Sequence, residues 1–310
     1  MKTINANRNP EVLVVGSVTI DTIIENRRTS ERLGGVGAYG ALTFQRLGVA
    51  TAVVTNVADE DRALLGILAG EGVAVHAGKS IRTTRFVNES RGDLREQLMP
   101  QTAGPIASAQ IDPFLATIRH VHAGPLHPDD IDPQAMALMA ESKKLVSLDV
   151  QGYLRRAVNG RIVPGLSEGL AEALHSAHII KADEGELNLM LDHFRESLPG
   201  FLKRFRIDEA VITRGSRGAS VWTRFGEGWH FAAEAVRRPA STVGAGDVFF
   251  AAYLAAHVYR KLDIDLAAGF AAGVAARQVA GKHLPPALLD LPSKREGRRE
   301  DRKRIKPRRL

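Results

Sequence analysis

Short apolar segments alternate with helix-length amphipathic stretches along most of this chain, and that alternation restricts its fold more than any other feature. Strands and helices in this order are typical of a mainly parallel sheet covered by helices. We predict strands over residues 11–15, 51–56, 120–123, 145–150, 178–181 and 210–213. The predicted helices cover residues 36–47, 61–70, 132–142, 166–175, 183–191, 245–262 and 265–279. The sequence therefore predicts an α/β fold.

Two polar stretches interrupt this alternation, at residues 23–33 and 81–99. Both are rich in Arg and Thr and alternate in polarity, as exposed antiparallel strands do. We predict that strands over about 22–33 and 81–99 form a small β lid over one edge of the domain. The exposed edge of such a lid is a place where a homodimer could form.

The basic excess of the chain is confined to its last twenty residues. The formal net charge is +7, and residues 291–310 contain ten Lys or Arg and three Asp or Glu, a difference of 7. The rest of the chain is electrically balanced and has no global field to attract polyanions. We predict one domain over 1–290 and a basic, disordered tail over 291–310. Nucleic acid contact by the tail is the alternative to a solvated appendage.

The absence of cysteine and of long apolar runs excludes several classes. With no Cys, disulfide scaffolds, thiolate metal sites and cysteine nucleophiles are excluded, and a reducing cytoplasm fits. No apolar run approaches the roughly 20 residues of a membrane span, and the start MKTINANRNP lacks the apolar core of a signal peptide. We predict a cytoplasmic protein that contacts no membrane.

The strongest chemical signal is Ser241-Thr242-Val243-Gly244-Ala245-Gly246-Asp247, which is followed at once by an apolar helix. A Gly-rich turn that begins a helix directs backbone N–H groups and the helix dipole at one point, where an anion can bind. A carboxylate in the first turn, at Asp247, could accept a proton from an attacking hydroxyl beside that anion. This combination predicts a small-molecule kinase, with a plain capped helix as the alternative.

Three other motifs are weaker. Residues 35–40 match GxGxxG, but the polar stretch RRTSERL precedes them and the nearest predicted buried strand ends about twenty residues earlier, which disfavours a dinucleotide site. Residues 165–169 match GxSxG without a central strand before them, which disfavours a serine hydrolase. His120, His122 and His127 could suggest a metal site, but we expect the first two to bracket a strand end. No Walker A sequence occurs in the chain.

Taken in order, five segments resemble the ribokinase (PfkB) family of carbohydrate and nucleoside kinases over about residues 12–281. They are VGSVTID, LGGVGAYGALTFQRLG, KADEGE, and VITRGSRGASVW with STVGAGD. The resemblance implies a ribokinase-like three-layer sandwich and an ATP-dependent, magnesium-requiring phosphotransferase. Lid strands of this family often pair between subunits.

The resemblance also implies roles for individual residues. It places the anion hole at Gly244, Ala245 and Gly246, the base at Asp247, and substrate contacts at Asp21, Gly34, Gly35 and Tyr39. It implies nucleotide contacts at Asp183, Thr213, Arg214, Gly215 and Gly218, with Glu186 holding magnesium through water. Local alternatives remain: Asp21 could cap a turn, and Asp183 with Glu186 could form a capping box.

Departures from the family pattern bear on the substrate. Val36 and Tyr39 replace the polar pair of the ribose-specific motif GGKGAN, which disfavours ribose. Ser241 stands where many members have Asp beside a monovalent cation, so activation by such a cation is doubtful. The lid and the turn DVQGYLR resemble the branch that includes myo-inositol kinases.

In that branch the resemblance implies that a polyol is held by Asp21, Asn88, Arg95, Asp149 and Gln151. For Asn88 and Arg95 the alternative is a solvated lid strand, and we expect Arg155 to brace its turn rather than to meet a phosphate. The acceptor predicted from the sequence is a small polyol, sugar or nucleoside, with a myo-inositol-like polyol favoured. The alternatives are a nucleoside kinase and a non-catalytic metabolite-binding regulator that uses the basic tail.

Overall fold

The computed structural model describes residues 9–25, 28–91, 94–237 and 239–291. Their strands are β1 Val12–Val15, β2 Thr19–Glu25, β3 Arg28–Gly34, β4 Thr51–Ala58, β5 Ala74–Ser80, β6 Arg85–Arg91, β7 Leu94–Gln101, β8 His120–Ala123, β9 Leu145–Asp149, β10 Arg155–Val158, β11 Arg161–Pro164, β12 Ile179–Asp183, β13 Glu209–Thr213, β14 Ala219–Thr223 and β15 Gly228–Phe231. Their α-helices are α1 Val36–Arg46, α2 Gly66–Gly70, α3 Ser108–Leu115, α4 Pro133–Glu141, α5 Leu170–Ser176, α6 Glu184–Phe194, α7 Leu198–Phe205, α8 Ala245–Leu254, α9 Ile264–Val279 and α10 Pro286–Leu289.

A large sheet forms the centre of the domain. Within the described residues its order is β15-β14-β13-β12-β9-β8-β1-β4-β5, parallel from β13 to β5 with β14 and β15 antiparallel at one edge. The six predicted strands are all present. The prediction missed β5, β14 and β15, because edge strands such as β5 are partly exposed and lack a continuous apolar run.

Helices cover both faces of this sheet. Because side chains alternate along a strand, Val12 and Val14 pack with α1, α8 and α9, whereas Leu13 and Val15 pack with α3 to α7. The seven predicted helical segments are helical, although residues 59–65 form a 3₁₀ helix before α2, and α8 continues as a π-helical turn over Ala255–Tyr259. Helices α3, α7 and α10 were not predicted.

The lid is larger than the sequence predicted. In the described part of the chain it is a sheet with the order β10-β11-β7-β6-β2-β3. Its hairpins are antiparallel as expected, but β2 and β6 pair in parallel, and β10 and β11 extend the sheet at one edge. The sequence did not indicate those two strands, which are short and exposed.

The other edge of the lid is covered by the end of the described chain. Arg32 of β3 pairs with Asp290 through backbone and side chain, with Nε to Oδ1 at 2.5 Å. The Leu291 N–H donates to the Glu31 carbonyl at 2.8 Å. The tail predicted over 291–310 lies outside the described residues from 292 onwards. No helix in the described ranges combines the length and the apolar character needed to cross a bilayer.

Candidate active site

A polar cavity of about 390 Å³ lies between the carboxyl ends of the central strands and the lid. This is where open α/β sheets bind ligands. The residues that line it are Thr19, Asp21, Gly35, Tyr39, Phe86, Gln97, Leu126, Gln151, Arg155, Ile162, Lys181, Thr242, Val243, Gly244, Gly246 and Asp247. It therefore brings lid residues, the Gly-rich turn and charged groups of the sheet into one space.

The Gly-rich turn adopts the conformation that the anion site requires. Gly244 is the N-cap of α8 with a positive φ of 73°, which favours glycine. A Cβ at Gly244 would lie 2.5 Å from the ring of Tyr39, so α1 and α8 approach too closely there for any side chain. The first turn of α8, Ala245 to Asp247, follows directly and directs its dipole towards the cavity.

Asp247 lies in that first turn and is partly exposed to the cavity. The pKa of its carboxyl is raised to about 7, chiefly by burial and then by the nearby carboxylate of Asp149, against the opposing effects of Lys181 and Arg155. A carboxyl with a pKa near neutral pH can both accept and release a proton there. The geometry therefore suits Asp247 to general base catalysis.

Lys181 and Asp149 form a buried ion pair beside the Gly-rich turn. The Lys181 Nζ lies 2.9 Å from Asp149 Oδ2, on the paired strands β12 and β9. Burial alone would lower the pKa of Lys181, but Asp149, Glu186 and Asp247 together raise it, so the ammonium stays charged. Lys181 also lines the cavity. Asp149, predicted to contact the substrate, accepts hydrogen bonds from Lys181 Nζ and from the Gln151 N–H.

Asp21 lies on β2 with its carboxyl at the cavity wall. Its Oδ1 accepts a hydrogen bond from the Thr19 hydroxyl at 2.6 Å. A Cβ at Gly34 would overlap the Asp21 carboxyl, so the glycine before α1 is required by close packing. Gly35 lines the cavity at a φ of 79°. The structure thus brings together Asp21, both glycines and Tyr39, as predicted from the sequence.

The lid contributes Phe86 and Gln97 to the cavity. Asn88 is buried on β6, where its Oδ1 accepts a hydrogen bond from Gln97 Nε2 at 2.9 Å. The predicted site residue Asn88 therefore binds the side-chain amide of Gln97, which in turn lines the cavity. Arg95 lies in β7, but its side chain is outside the described residues. Gln97 was missed by the sequence reasoning, because only the pairing of β6 with β7 brings it beside Asn88.

The turn after β9 places Gln151 and Arg155 at the cavity. Burial lowers the pKa of the Arg155 guanidinium, and the carboxylates of Glu186 and Asp149 counteract that shift. Within the described residues this guanidinium makes no hydrogen bond to the turn. The bracing role expected for Arg155 is therefore not what the structure shows.

Asp183 and Glu186 form a reciprocal capping box at the start of α6. The Asp183 N–H donates to Glu186 Oε2 and the Glu186 N–H donates to Asp183 Oδ1, both at 2.7 Å. Burial raises the pKa of Glu186, and the neighbouring carboxylates Asp149 and Asp183 raise it too, against the effect of Lys181. The capping alternative thus holds for these two residues, and a cation beside Glu186 would relieve the repulsion.

Apart from Asp183, which ends β12, the predicted nucleotide-binding residues lie at the end of β13 and on the turn between β13 and β14. Thr213 ends β13 and pairs with Ala219, and Gly218 has a φ of 92°. A Cβ at Gly218 would overlap the Phe231 carbonyl oxygen, so this turn also requires glycine. The guanidinium of Arg214 binds Glu184 at 3.0 Å and the Ser220 hydroxyl at 3.1 Å. Arg217, adjacent in this turn, also binds Glu184.

The histidines lie in the core rather than at a metal site. His120 and His122 are both inside β8, and both ring systems hydrogen-bond to the Ser147 hydroxyl, at 2.7 and 2.8 Å. The expectation that they bracket a strand end was wrong, because β8 begins at His120. No group of three or more potential metal-ligating side chains occurs among the residues described.

The other two motif matches have simple structural explanations. The glycines of residues 35–40 directly follow β3, which belongs to the lid and not to the central sheet, and the nearest preceding strand of the central sheet, β1, ends at Val15. Residues 165–169 follow β11, which is also a lid strand. Neither turn therefore has the central strand that a dinucleotide site or a nucleophile elbow needs.

Lys181 is the main residue of the site that sequence reasoning missed. A lysine inside the apolar run HIIKAD is a signal in itself, because a buried charge requires a partner. Its partner Asp149 is 32 residues away, so the pairing was not visible in the sequence. Phe86, Leu126 and Ile162 likewise come to the cavity from distant segments.

Residues 9–284 match the family described as pfkB family carbohydrate kinase. A solved structure of a pyrophosphate-dependent kinase in the ribokinase family is 26% identical and covers 87% of this chain and 95% of its own, with a TM-score of 0.76. A structure of a pyrophosphate-dependent myo-inositol-1 kinase converted into a myo-inositol-3 kinase is 27% identical, covers 92% and 96%, and has a TM-score of 0.74. Ribokinase from Thermotoga maritima, at 19% identity, covers 94% and 99% with a TM-score of 0.70, which supports the fold alone.

Proposed function

The chain belongs to the pfkB family of carbohydrate kinases, and we propose that it phosphorylates a hydroxyl group of a small polyol, with myo-inositol as the favoured acceptor. The protein is a phosphotransferase with a ribokinase-like α/β fold. The observation that carries the proposal is the position of Asp247. Its carboxyl, with a pKa of about 7, lies in the same cavity as Asp21 and as the amides of Gly244 and Gly246.

The arrangement divides the chemistry between carboxylate and backbone. Asp247 accepts the proton of the acceptor hydroxyl as its oxygen attacks phosphorus. The amides at the start of α8 and the helix dipole stabilise the negative charge on the transferred phosphoryl group. The lid covers the cavity and excludes water, which would otherwise compete with the acceptor as nucleophile.

The acceptor side of the cavity suits a molecule with many hydroxyl groups. Asp21 offers a charged acceptor, and Gln151 and Gln97 each offer both a donor and an acceptor. Phe86 and Leu126 supply apolar contacts for the C–H faces of a ring. Similarity to the pyrophosphate-dependent myo-inositol kinase, at 27% identity, supports the same class of acceptor.

The first candidate donor is ATP with magnesium. For the nucleotide, the proposed contacts are Asp183, Thr213, Arg214, Gly215 and Gly218, around the carboxyl ends of β12 and β13. Magnesium would be held by Glu186 through water, because the described residues contain no three-ligand group that could bind the ion directly. The carboxylates that raise the pKa of Glu186 fit such a cation. When bound, magnesium neutralises charge on the donor phosphates.

The second candidate donor is inorganic pyrophosphate, and the distribution of cations favours it. Arg155 lines the cavity with Asp247 and forms no ion pair within the described residues, whereas Arg214 and Arg217 of the nucleotide turn are paired with Glu184. Positive charge thus lies where phosphates are transferred rather than along the path of a nucleotide. Two structures described as pyrophosphate-dependent kinases of this family are 26% identical to this chain.

The proposed function is tested by assaying each of two phosphate donors with each of five acceptors. ATP and pyrophosphate are each combined with myo-inositol, ribose, fructose, adenosine and cytidine, and phosphorylated product is measured directly. We expect acceptor-dependent phosphorylation that is greatest with myo-inositol. Product only from adenosine or cytidine would favour the nucleoside kinase, and no product from any pair would favour a metabolite-binding regulator.

For assembly, the proposed homodimer would form through the lid. Strand β10 is the lid edge that lacks a partner strand within the described residues, and Val158 at its end is 52% exposed. Sedimentation of the wild-type chain and of Val158→Lys tests this, since a charge at that edge should shift a dimer towards monomer. If Val158→Lys sediments as the same dimer as the wild-type chain, the dimer interface lies elsewhere.

A further inference from the structure

Contacts of the flanking backbone hold Arg155 at the cavity, and none of them involves the Arg155 side chain. It follows the turn Val150–Leu154, in which the Gln151 N–H donates to Asp149 Oδ1 at 3.1 Å. A Cβ at Gly152 would lie 2.5 Å from the carbonyl oxygen of Pro125, so the turn packs closely on the neighbouring loop. The Gly165 N–H then donates to the Leu154 carbonyl at 3.0 Å.

The guanidinium lies among four carboxylates without binding any of them. Glu186, Asp149, Asp247 and Asp183 all act on its pKa, yet within the described residues it forms no ion pair and no hydrogen bond. Lys181, by contrast, is paired with Asp149 at 2.9 Å. Of these two cavity cations, Arg155 is therefore the one whose donors remain available to a ligand.

A half-buried guanidinium without a partner is unfavourable for the folded protein, since the charge is partly removed from water with no hydrogen bond in return. A structural brace would recover that cost through hydrogen bonds, and none is present among the described residues. An anionic ligand would recover it on binding. A phosphate offers two oxygens at the spacing of the guanidinium fork, and such bidentate pairs are among the stronger hydrogen-bonded contacts.

We propose that Arg155 is a catalytic residue that binds the phosphoryl group during its transfer, opposite the amides that begin α8. The inference rests on the kinase function proposed above. In the step, the acceptor oxygen forms a bond to phosphorus and the bond from phosphorus to the donor oxygen breaks. The acceptor proton passes to Asp247, and the electron pair of the broken bond remains on the leaving phosphate. Arg155 stabilises the phosphoryl oxygens throughout.

The kinetic test compares Arg155→Gln and Arg155→Lys with Arg156→Gln. Arg156 is the adjacent, exposed arginine, and its guanidinium binds the Leu166 carbonyl at 2.9 Å. Arg155→Gln should lower kcat by roughly 10² to 10³, as loss of one transition-state donor does, with little change in KM for the polyol. Arg155→Lys should recover only part of the rate, and Arg156→Gln should behave as wild type. Equal kcat in Arg155→Gln and wild type would overturn the proposal.

A binding test separates this role from folding. Pyrophosphate and, separately, ATP are titrated calorimetrically into each protein without acceptor, and melting temperatures are recorded. We expect weaker binding of at least one donor to Arg155→Gln, at an unchanged melting temperature. If that variant does not fold, Arg155→Lys, which keeps the charge, decides the question. Unchanged affinity for both donors in the folded variant contradicts the proposal.

Rescue of activity by an added cation distinguishes a catalytic charge at Arg155 from a role in packing, because a free cation cannot replace a packed side chain. Guanidinium ion added at non-denaturing concentration should restore part of the activity of Arg155→Ala and none of that of Asp247→Asn. Failure of the kinase function has a different signature. Suppose that the wild-type protein binds pyrophosphate but phosphorylates no acceptor, and that Arg155→Gln abolishes the binding. The proposed polyol kinase function would then be wrong, whereas an anion site at Arg155 would still be supported.

Discussion

The ammonium of Lys181 lies 2.9 Å from Asp149 Oδ2, and its Nζ would be 3.4 Å from a Cβ placed on Gly246. One buried ion pair therefore lies against the turn that begins α8. Asp149 raises the pKa of Asp247 and Lys181 lowers it. The pair thereby adjusts the protonation of the proposed base as well as stabilising the fold.

Replacement of Lys181 by Met should be strongly destabilising. The substitution leaves the Asp149 carboxylate buried without its cation, which typically costs about 3–5 kcal/mol in free energy of unfolding. The measurement is urea denaturation near neutral pH. The double variant Lys181→Met, Asp149→Leu should regain much of that loss, because no charge remains buried. A single variant as stable as wild type would show that the pair contributes nothing.

The pH profile should report the state of Asp247. Its pKa is raised from 3.8 to about 7, so the fraction of the base form grows as the pH rises through 7. We expect kcat/KM to increase about tenfold per pH unit below 7 and to level off above it. An activity that is constant from pH 5 to 8 would contradict a base with this pKa.

Asp247→Asn should lower kcat by a factor of roughly 10² to 10⁴ with little effect on donor affinity, because it removes the proton acceptor but keeps the shape. Asp265→Asn is a matched control, since Asp265 is also an acid in the first turn of a helix but is exposed on α9. Turnover is measured in parallel for both. Near-full turnover in Asp247→Asn would remove the base assignment.

Gly244→Ala should impair both stability and turnover. The added Cβ would lie 2.5 Å from the Tyr39 ring, at a φ of 73° that costs a residue other than glycine about 1–2 kcal/mol. Gly269→Ala is the control, because nothing lies within 4 Å of its Cβ position in α9 and alanine favours a helix. Thermal melting and kcat are compared. Wild-type behaviour of Gly244→Ala would mean that the turn can shift without loss.

The buried histidines should make the protein sensitive to acid. Burial lowers the pKa of His122 from 6.5 to about 4, so the neutral ring is favoured in the folded state. The resulting stability is complete above pH 6.5 and is lost as the pH falls towards 4, by about 3 kcal/mol in free energy of unfolding. Urea denaturation at several pH values measures it. His122→Asn should reduce this dependence, whereas His230→Gln, at an exposed site, should not.

Much of the fold could be predicted from the sequence, because the alternation of apolar segments and amphipathic helices is a local property. Strand β1, for example, is a short apolar run, and its side chains are buried on both faces of the sheet. The turn at Gly244 was predictable for the same reason, since glycine residues before a helix with an acidic first turn form a contiguous pattern.

The parts that were missed depend on pairings between distant segments. Strands β10 and β11 belong to the lid because β11 pairs with β7, across more than 60 residues of chain. Exposed strands of four residues carry no apolar signal of their own. The two histidines of β8 were misjudged because the Ser147 hydroxyl that they share comes from the neighbouring strand β9.

The sequence by itself determined the alternation of the central parallel strands with helices, the Gly-rich turn before α8 and the acid beside it. Only the tertiary structure decided that Lys181 pairs with Asp149, that Gln97 meets Asn88, and that Arg155 faces the cavity without a hydrogen-bond or ion-pair partner among the described residues. The physical reason is that helix and turn preferences depend on neighbouring residues. The charge state and contacts of a buried group depend instead on whichever distant side chains the fold places around it.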